Sequence, residues 1–152
     1  MIKFDSCKAR LIQILARFPE EESAILFEAA KLLKDSKVMV SYNGKTFDWP
    51  YIEHRAAMYG IELKPPQLHI DLLHFSRRIF KQLVDRFKLS HLEKKVLNKT
   101  RKQDINSEYV PILYREYLKE RESAYLYPVI VHNREDLITL VELLNFLYQG
   151  CV

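Results

Sequence analysis

Glycine is scarce in this sequence: three residues, at positions 44, 60 and 150, none close to another. Clustered glycines let a backbone close on phosphate, so a Walker loop and a dinucleotide-binding GxGxxG turn are both excluded. Cysteine is scarcer still. Cys7 and Cys151 lie at opposite ends with no CxxC, which excludes a zinc ribbon and a disulfide framework. No HExxH and no GxSxG occurs. Long apolar runs are also lacking: Met1-Ile2-Lys3-Phe4 reaches Asp5 without room for a signal peptide or a membrane span. Together with sparse cysteine, this points to a reducing, cytoplasmic setting and to no membrane partner.

What is present suits one folded domain over residues 1–152. Of 152 residues, 48% are apolar and 12% aromatic, enough for a real core, while 29% are charged. The net charge of +4 is unevenly placed. From Arg77 to Lys102, ten Lys or Arg face only Asp85 and Glu93, a local +8 that leaves −4 for the rest. A basic stretch beside an acidic remainder fits a polyanion-binding surface, and equally a solvated helical face.

Hydrophobic patterning predicts α/β architecture with a helical second half. Met1 to Phe4 and Arg10 to Ala16 read as a β-hairpin. Pro19-Glu20-Glu21-Glu22 opens a helix that would bury Ala24, Ile25, Phe27, Leu32 and Leu33. Val38 to Tyr42 reads as a fully buried strand, and a helix beyond Asp48-Trp49-Pro50 ends at Gly60 in the C′ position. Leu68 to Leu72 reads as a strand running into a helix from about Leu73 to Leu83. Ser90-His91-Leu92-Glu93 has capping-box spacing. A helix follows around Val110 to Leu118, and Pro128 starts a final one reaching about Tyr148. That last helix carries Val129, His132, Asp136, Leu140, Leu144 and Leu147 at helical spacing.

Three segments could carry chemistry. In Tyr42-Asn43-Gly44-Lys45-Thr46-Phe47-Asp48, the Asn-Gly pair is a favoured hairpin turn. Asp48-Trp49-Pro50 argues instead for an acid at or near a helix N-cap, with Pro50 at N1. There Asp48 would stand at the carboxyl end of a strand, where open α/β sheets bind ligands. His132 and Asp136, four apart, share one helix face on the apolar stripe. An inward carboxylate must be paired or bound to a cation, whereas an inward histidine is commonly just a satisfied core residue. Asp71 ends a strand and opens a helix, so N-capping is its expected role. His69 and His74 share no direction and read as structural.

In order along the chain, Tyr42 to Asp48, His69-Ile70-Asp71-Leu72-Leu73, Leu89 to Glu93, Asp104-Ile105 with Tyr114 to Leu118, and His132 to Asp136 resemble one family. It is the YprB-type branch of the DnaQ-like 3′–5′ exonucleases, which have the RNase H fold. The resemblance runs from about Leu11 to Leu147. It implies a mixed sheet with flanking helices, and two-metal phosphodiester hydrolysis at single-stranded DNA or RNA ends with Mg²⁺ or Mn²⁺. On this template residues 42–48 form a strand-to-helix turn. Asp48 is the second-motif acid and Asp136 the third, both metal ligands, and His132 orients or deprotonates the attacking water. Asn43 and Lys45 face the substrate, and Arg77, Arg78 and Lys81 steer its phosphate backbone.

The sequence departs from the family's pattern in two places. His132 and Asp136 are separated by three residues, where histidine-type members usually have four. More seriously, none of the seven aspartates belongs to an Asp-x-Glu, the first motif that supplies two of four carboxylates. Met1 to Phe4 and Arg10 to Ala16 align as the second and third strands, so the first strand, which lies mid-sheet, is missing. Three readings remain open: a fragment of a longer enzyme, a relative that binds without cutting, or a chain in which Met1 to Asp5 takes the central strand position. In the last, Asp5 is the lone first-motif acid and metal ligand, and Cys7 stands where the glutamate should be. A homodimer that completes the sheet by strand exchange or edge pairing would fit each.

Overall fold

A computed structural model describes residues 1–5, 8–101 and 104–150. In chain order the elements are β1 (Ile2–Asp5), β2 (Lys8–Leu11), α1 (Glu22–Leu33), β3 (Val38–Ser41), α2 (Asp48–Met58), β4 (Leu68–Asp71), α3 (Leu72–Ile79), α4 (Leu89–Lys95), α5 (Val110–Glu120) and α6 (Ser123–Gln149). Short 3₁₀ turns at Pro19–Glu21 and Ser107–Tyr109 lead into α1 and α5. No helix among the described residues is long and apolar enough to cross a membrane. The chain forms two compact units, residues 14–87 and residues 1–13 with 88–152.

In the unit of residues 14–87, β3 and β4 pair in parallel, Val38 opposite Leu68 and Ser41 opposite Asp71. Such a pair needs a crossover helix, and α2 supplies it. The core gathers Leu26, Ala56 and Leu63, with Ala30, Leu33, Trp49, Ile52 and Ile61 packed against them. The buried stripe of α1 therefore runs through Leu26, Ala30 and Leu33; Phe27, expected inside, is exposed. A polar staple joins α1 to α2: Arg55 and Tyr59 both donate to the Glu22 carboxylate. β3 is not the fully buried strand its composition predicts. Val38 is 53% exposed, and among the described residues β3 pairs with β4 alone. Gly60, at φ +68°, closes α2 as expected, in a left-handed conformation that glycine adopts without strain.

In the other unit, β1 and β2 form the expected antiparallel hairpin, Ile2 opposite Leu11, though β2 stops at Leu11 rather than Ala16. Gln13 then anchors the segment to α6, donating to the Ile130 carbonyl and the Asn133 amide oxygen, both at 2.9 Å. Two predicted starts are corrected. α6 begins at Ser123 and carries Pro128 inside it. α4 begins at Leu89 with no side-chain cap, and Glu93 is buried instead of reaching back. The buried positions of α6 are Leu126, Thr139, Leu143 and Leu147; Leu147 is as predicted, while Thr139 and Leu143 stand one residue off the predicted Leu140 and Leu144.

The architecture is α/β, with one antiparallel and one parallel strand pair. Among the described residues the strands pair as two two-stranded sheets, one in each unit. Each of the four strands keeps one edge without a strand partner among the described residues.

Candidate functional site

The first cluster forms where β3 and β4 end. The chain leaves β3 through residues 42–47 and enters α2 at Asp48, so this segment is a strand-to-helix turn and not a hairpin. Asn43 takes φ +60°, a conformation asparagine tolerates well. Its N–H donates to Asp71 Oδ1 at 2.7 Å, and the Lys45 N–H donates to Asp71 Oδ2 at 3.0 Å. Asp71 also caps α3 as predicted, accepting from the Leu73 N–H at 3.1 Å. This carboxylate is 4% exposed. Burial pushes its pKa up, but the backbone donors of Lys45, Asn43 and Leu73 outweigh that and hold it below the ordinary value. Both its oxygens are engaged, so its work is to fix the turn.

Gly44 is buried beneath that turn. A Cβ there would stand 2.7 Å from Ser41 Cβ and 2.9 Å from Ser41 Oγ, closer than real carbons approach, and 3.4 Å from Asp48 Oδ2. Glycine is thus required for the close approach that sets Asp48 above the end of β3. Ser41 in turn shares a 2.8 Å hydrogen bond with His69 Nε2, and Trp49 meets the His69 ring edge-on. Burial lowers the His69 pKa, so the ring is neutral near pH 7.

Asp48 is the first helical residue of α2, one position beyond the expected cap, with Pro50 third. A carboxylate there suits the positive end of the helix. It nevertheless forms no ion pair with a described residue. Its pKa is raised, first by desolvation and further by the charge of Asp71, against its own backbone N–H. Lys45 is exposed beside it and lines a cleft of about 500 Å³ with Thr46, His69, Asp71, His74 and Phe75. Arg77, Arg78 and Lys81 are exposed at and just past the end of α3, without an ion pair among the described residues.

The second cluster belongs to the other unit and centres on a residue the motif reading passed over. The Arg101 side chain is 5% exposed and grips three carboxylates. Nε donates to Glu93 Oε2 at 2.7 Å, Nη1 to Asp104 Oδ2 at 2.9 Å, and Nη2 to Asp136 Oδ1 at 2.7 Å. Burial disfavours its charge, yet the bond to Asp136 and the surrounding acids raise its pKa above the ordinary value. Thr139 donates to the remaining oxygen of Glu93. His132 lies between two acids, Nδ1 at 2.6 Å from Asp104 Oδ1 and Nε2 at 3.4 Å from Asp136 Oδ2. The predicted pair His132 and Asp136 is therefore brought together. The R-x-x-D spacing of Arg101 and Asp104 was the available sign of their partner. Asp5 lies in β1, and its side chain falls outside the described residues, as does Cys7.

Comparison with known proteins adds a family. A family model of the RNase_H superfamily matches residues 1–148. The chain belongs to this superfamily. Over 111 residues it is 38% identical to Bacillus subtilis YprB, covering 72% of this chain and 27% of that protein. This agrees with the YprB-type resemblance. It is 30% identical over 83 residues to a Methanocaldococcus jannaschii DNA polymerase, covering 41% of this chain and 5% of that protein. It is 28% identical over 133 residues to Aeropyrum pernix DNA polymerase 1, covering 84% and 14%. The chain thus spans 27% or less of the length of these relatives. No solved structure matches it.

The donors among the described residues do not, as arranged, fit the divalent ions that the resemblance implies. Among the described residues no three His, Cys, Asp or Glu side chains are grouped to hold a metal ion. Asp71 spends its oxygens on backbone N–H groups, and Asp136 spends one on a guanidinium.

Proposed function

We propose that residues 1–152 act as one DnaQ-like 3′–5′ exonuclease domain working on single-stranded DNA or RNA ends. Its reaction is Mg²⁺- or Mn²⁺-dependent phosphodiester hydrolysis. Asp48 and Asp136 are its retained acids, His132 is the base beside Asp136, and Asn43 and Lys45 meet the substrate. The observation that carries this reading is Asp48: a carboxylate with no ion pair to a described residue, its pKa raised by desolvation, over a turn that Gly44 and Asp71 build for it. The relatives named as DNA polymerases agree with a nucleic-acid substrate.

The test is degradation of an end-labelled single-stranded oligonucleotide in Mn²⁺ and in EDTA, with Asp48→Asn alongside. Laddering should require Mn²⁺ and fall at least about a hundredfold in Asp48→Asn, since it removes a charge the reaction needs. Undiminished laddering by the variant would remove Asp48 from the site. A second reading, a module that binds without cutting, is favoured by the capture of Asp136 by Arg101. Salt-dependent binding of the oligonucleotide with no cleavage in Mn²⁺, by the unaltered chain and by Arg101→Lys alike, would establish it.

A further inference from the structure

We propose that Arg101 is a built-in latch, a guanidinium seated where Asp136 would otherwise receive a cation. The inference rests on reading Asp136 as an acid of the nuclease site. Three features of the geometry carry it. Arg101 spends its fork on acids from three places: Glu93 of α4, Asp104 of the linker before α5, and Asp136 of α6. Its side chain is almost wholly buried, so the contact is not a passing surface pair. Of the three acids, Asp136 is the most open, at 37% side-chain exposure, against 3% for Glu93 and 21% for Asp104.

The three carboxylates do not have the same function. Glu93 is buried, and Arg101 together with Thr139 satisfies both its oxygens. Losing Arg101 from Glu93 would strand a buried charge. Asp136 faces solvent in part and meets His132 with its other oxygen, so it can exchange a guanidinium for another cation at small desolvation cost. A rotation that releases Nη2 while Nε stays on Glu93 frees Asp136 and keeps the core charge paired. The latch thus opens at Asp136 and stays anchored at Glu93.

The experiment is Mn²⁺ titration without nucleic acid, read by the electron paramagnetic resonance of free Mn²⁺ and by thermal melting. The proteins are the 152-residue chain, Asp136→Asn, Arg101→Gln and the double variant. With Arg101 in place, Asp136→Asn should leave Mn²⁺ binding unchanged. Arg101→Gln should bind Mn²⁺ at least about tenfold more tightly, because a unit charge within contact distance has been removed. The double variant should lose that gain.

Arg101→Gln leaves Glu93 buried without its cation and could fail to fold. Arg101→Lys keeps a charge for Glu93 but loses the fork, so it should fold and show part of the gain. Asp136-dependent Mn²⁺ binding by the unaltered chain would overturn the latch. So would Arg101 variants with no gain. The readout is independent of cleavage. A latch that holds while neither the unaltered chain nor Arg101→Lys cleaves in Mn²⁺ sinks only the exonuclease reading, and cleavage by a chain whose Arg101 variants bind Mn²⁺ no better sinks only the latch.

Discussion

At the scale of single residues, the two acids at the ends of neighbouring elements divide the work by their surroundings. Asp71 is encircled by backbone N–H groups, which favour its charge; Asp48 sits over Ser41 and Gly44, where desolvation disfavours its charge. Asp71 therefore holds the turn that presents Asp48. Its folded pKa lies below its unfolded one. Its stabilising contribution is complete above an unfolded value of about 3.9, and is lost as pH falls through the lower folded value. Asp71→Asn should cost about 2–4 kcal/mol at pH 7, since an amide cannot accept from donors on both sides. Urea unfolding at pH 7 and at pH 3 should show that deficit shrinking in acid. An equal deficit at both would mean that charge is not what the backbone donors hold.

At the scale of elements, α6 shows where local rules stop. Proline suits a first helical turn, so Pro128 reads as a start, yet the helix begins five residues earlier. Pro128 has no N–H for the carbonyl four residues back, which leaves a gap in the helix ladder. Pro128→Ala should therefore stabilise the chain by about 1–3 kcal/mol, seen as a raised denaturant midpoint. A lowered midpoint would show that the ring itself packs usefully. The rotation of α6 was equally hidden. Leu137, Ile138, Leu140, Val141, Leu143 and Leu144 surround the helix with apolar residues, so periodicity alone allows neighbouring stripes. The buried Thr139–Glu93 hydrogen bond fits one of them, with Leu143 and Leu147 inward. In α4 the same Glu93 mimics a capping box, but its partners are Arg101 and Thr139.

At the scale of the whole molecule, the basic stretch from Arg77 to Lys102 is smaller than its count. Lys88 pairs with Glu108, Lys99 with Glu142, and Arg101 is consumed by its three acids. Arg77, Arg78, Lys81, Arg86, Lys94 and Lys95 remain exposed with no ion pair to a described residue. If these charges meet phosphates, neutralising Arg77, Arg78 and Lys81 together should flatten the log–log salt dependence of single-strand binding by about two units. Fluorescence anisotropy across a salt series measures it, and an unchanged slope assigns the three to solvated surface.

The sequence by itself determined what depends on neighbours along the chain. It marked the order of strands and helices, the turn at 42–48 with an acid at its end, the cap at Asp71, the stop at Gly60, and the family to which the ordered motifs belong. These follow from turn chemistry, capping and periodicity, which act over a few residues. Only the tertiary structure decided the partners of charge. Arg101 reaches Asp136 across 35 positions, and Thr139 reaches Glu93 across 46. It also decided that the strands stand as two pairs, with Val38 left half in solvent. A buried charge must find its opposite wherever the fold brings one, and no local pattern records which one it will be.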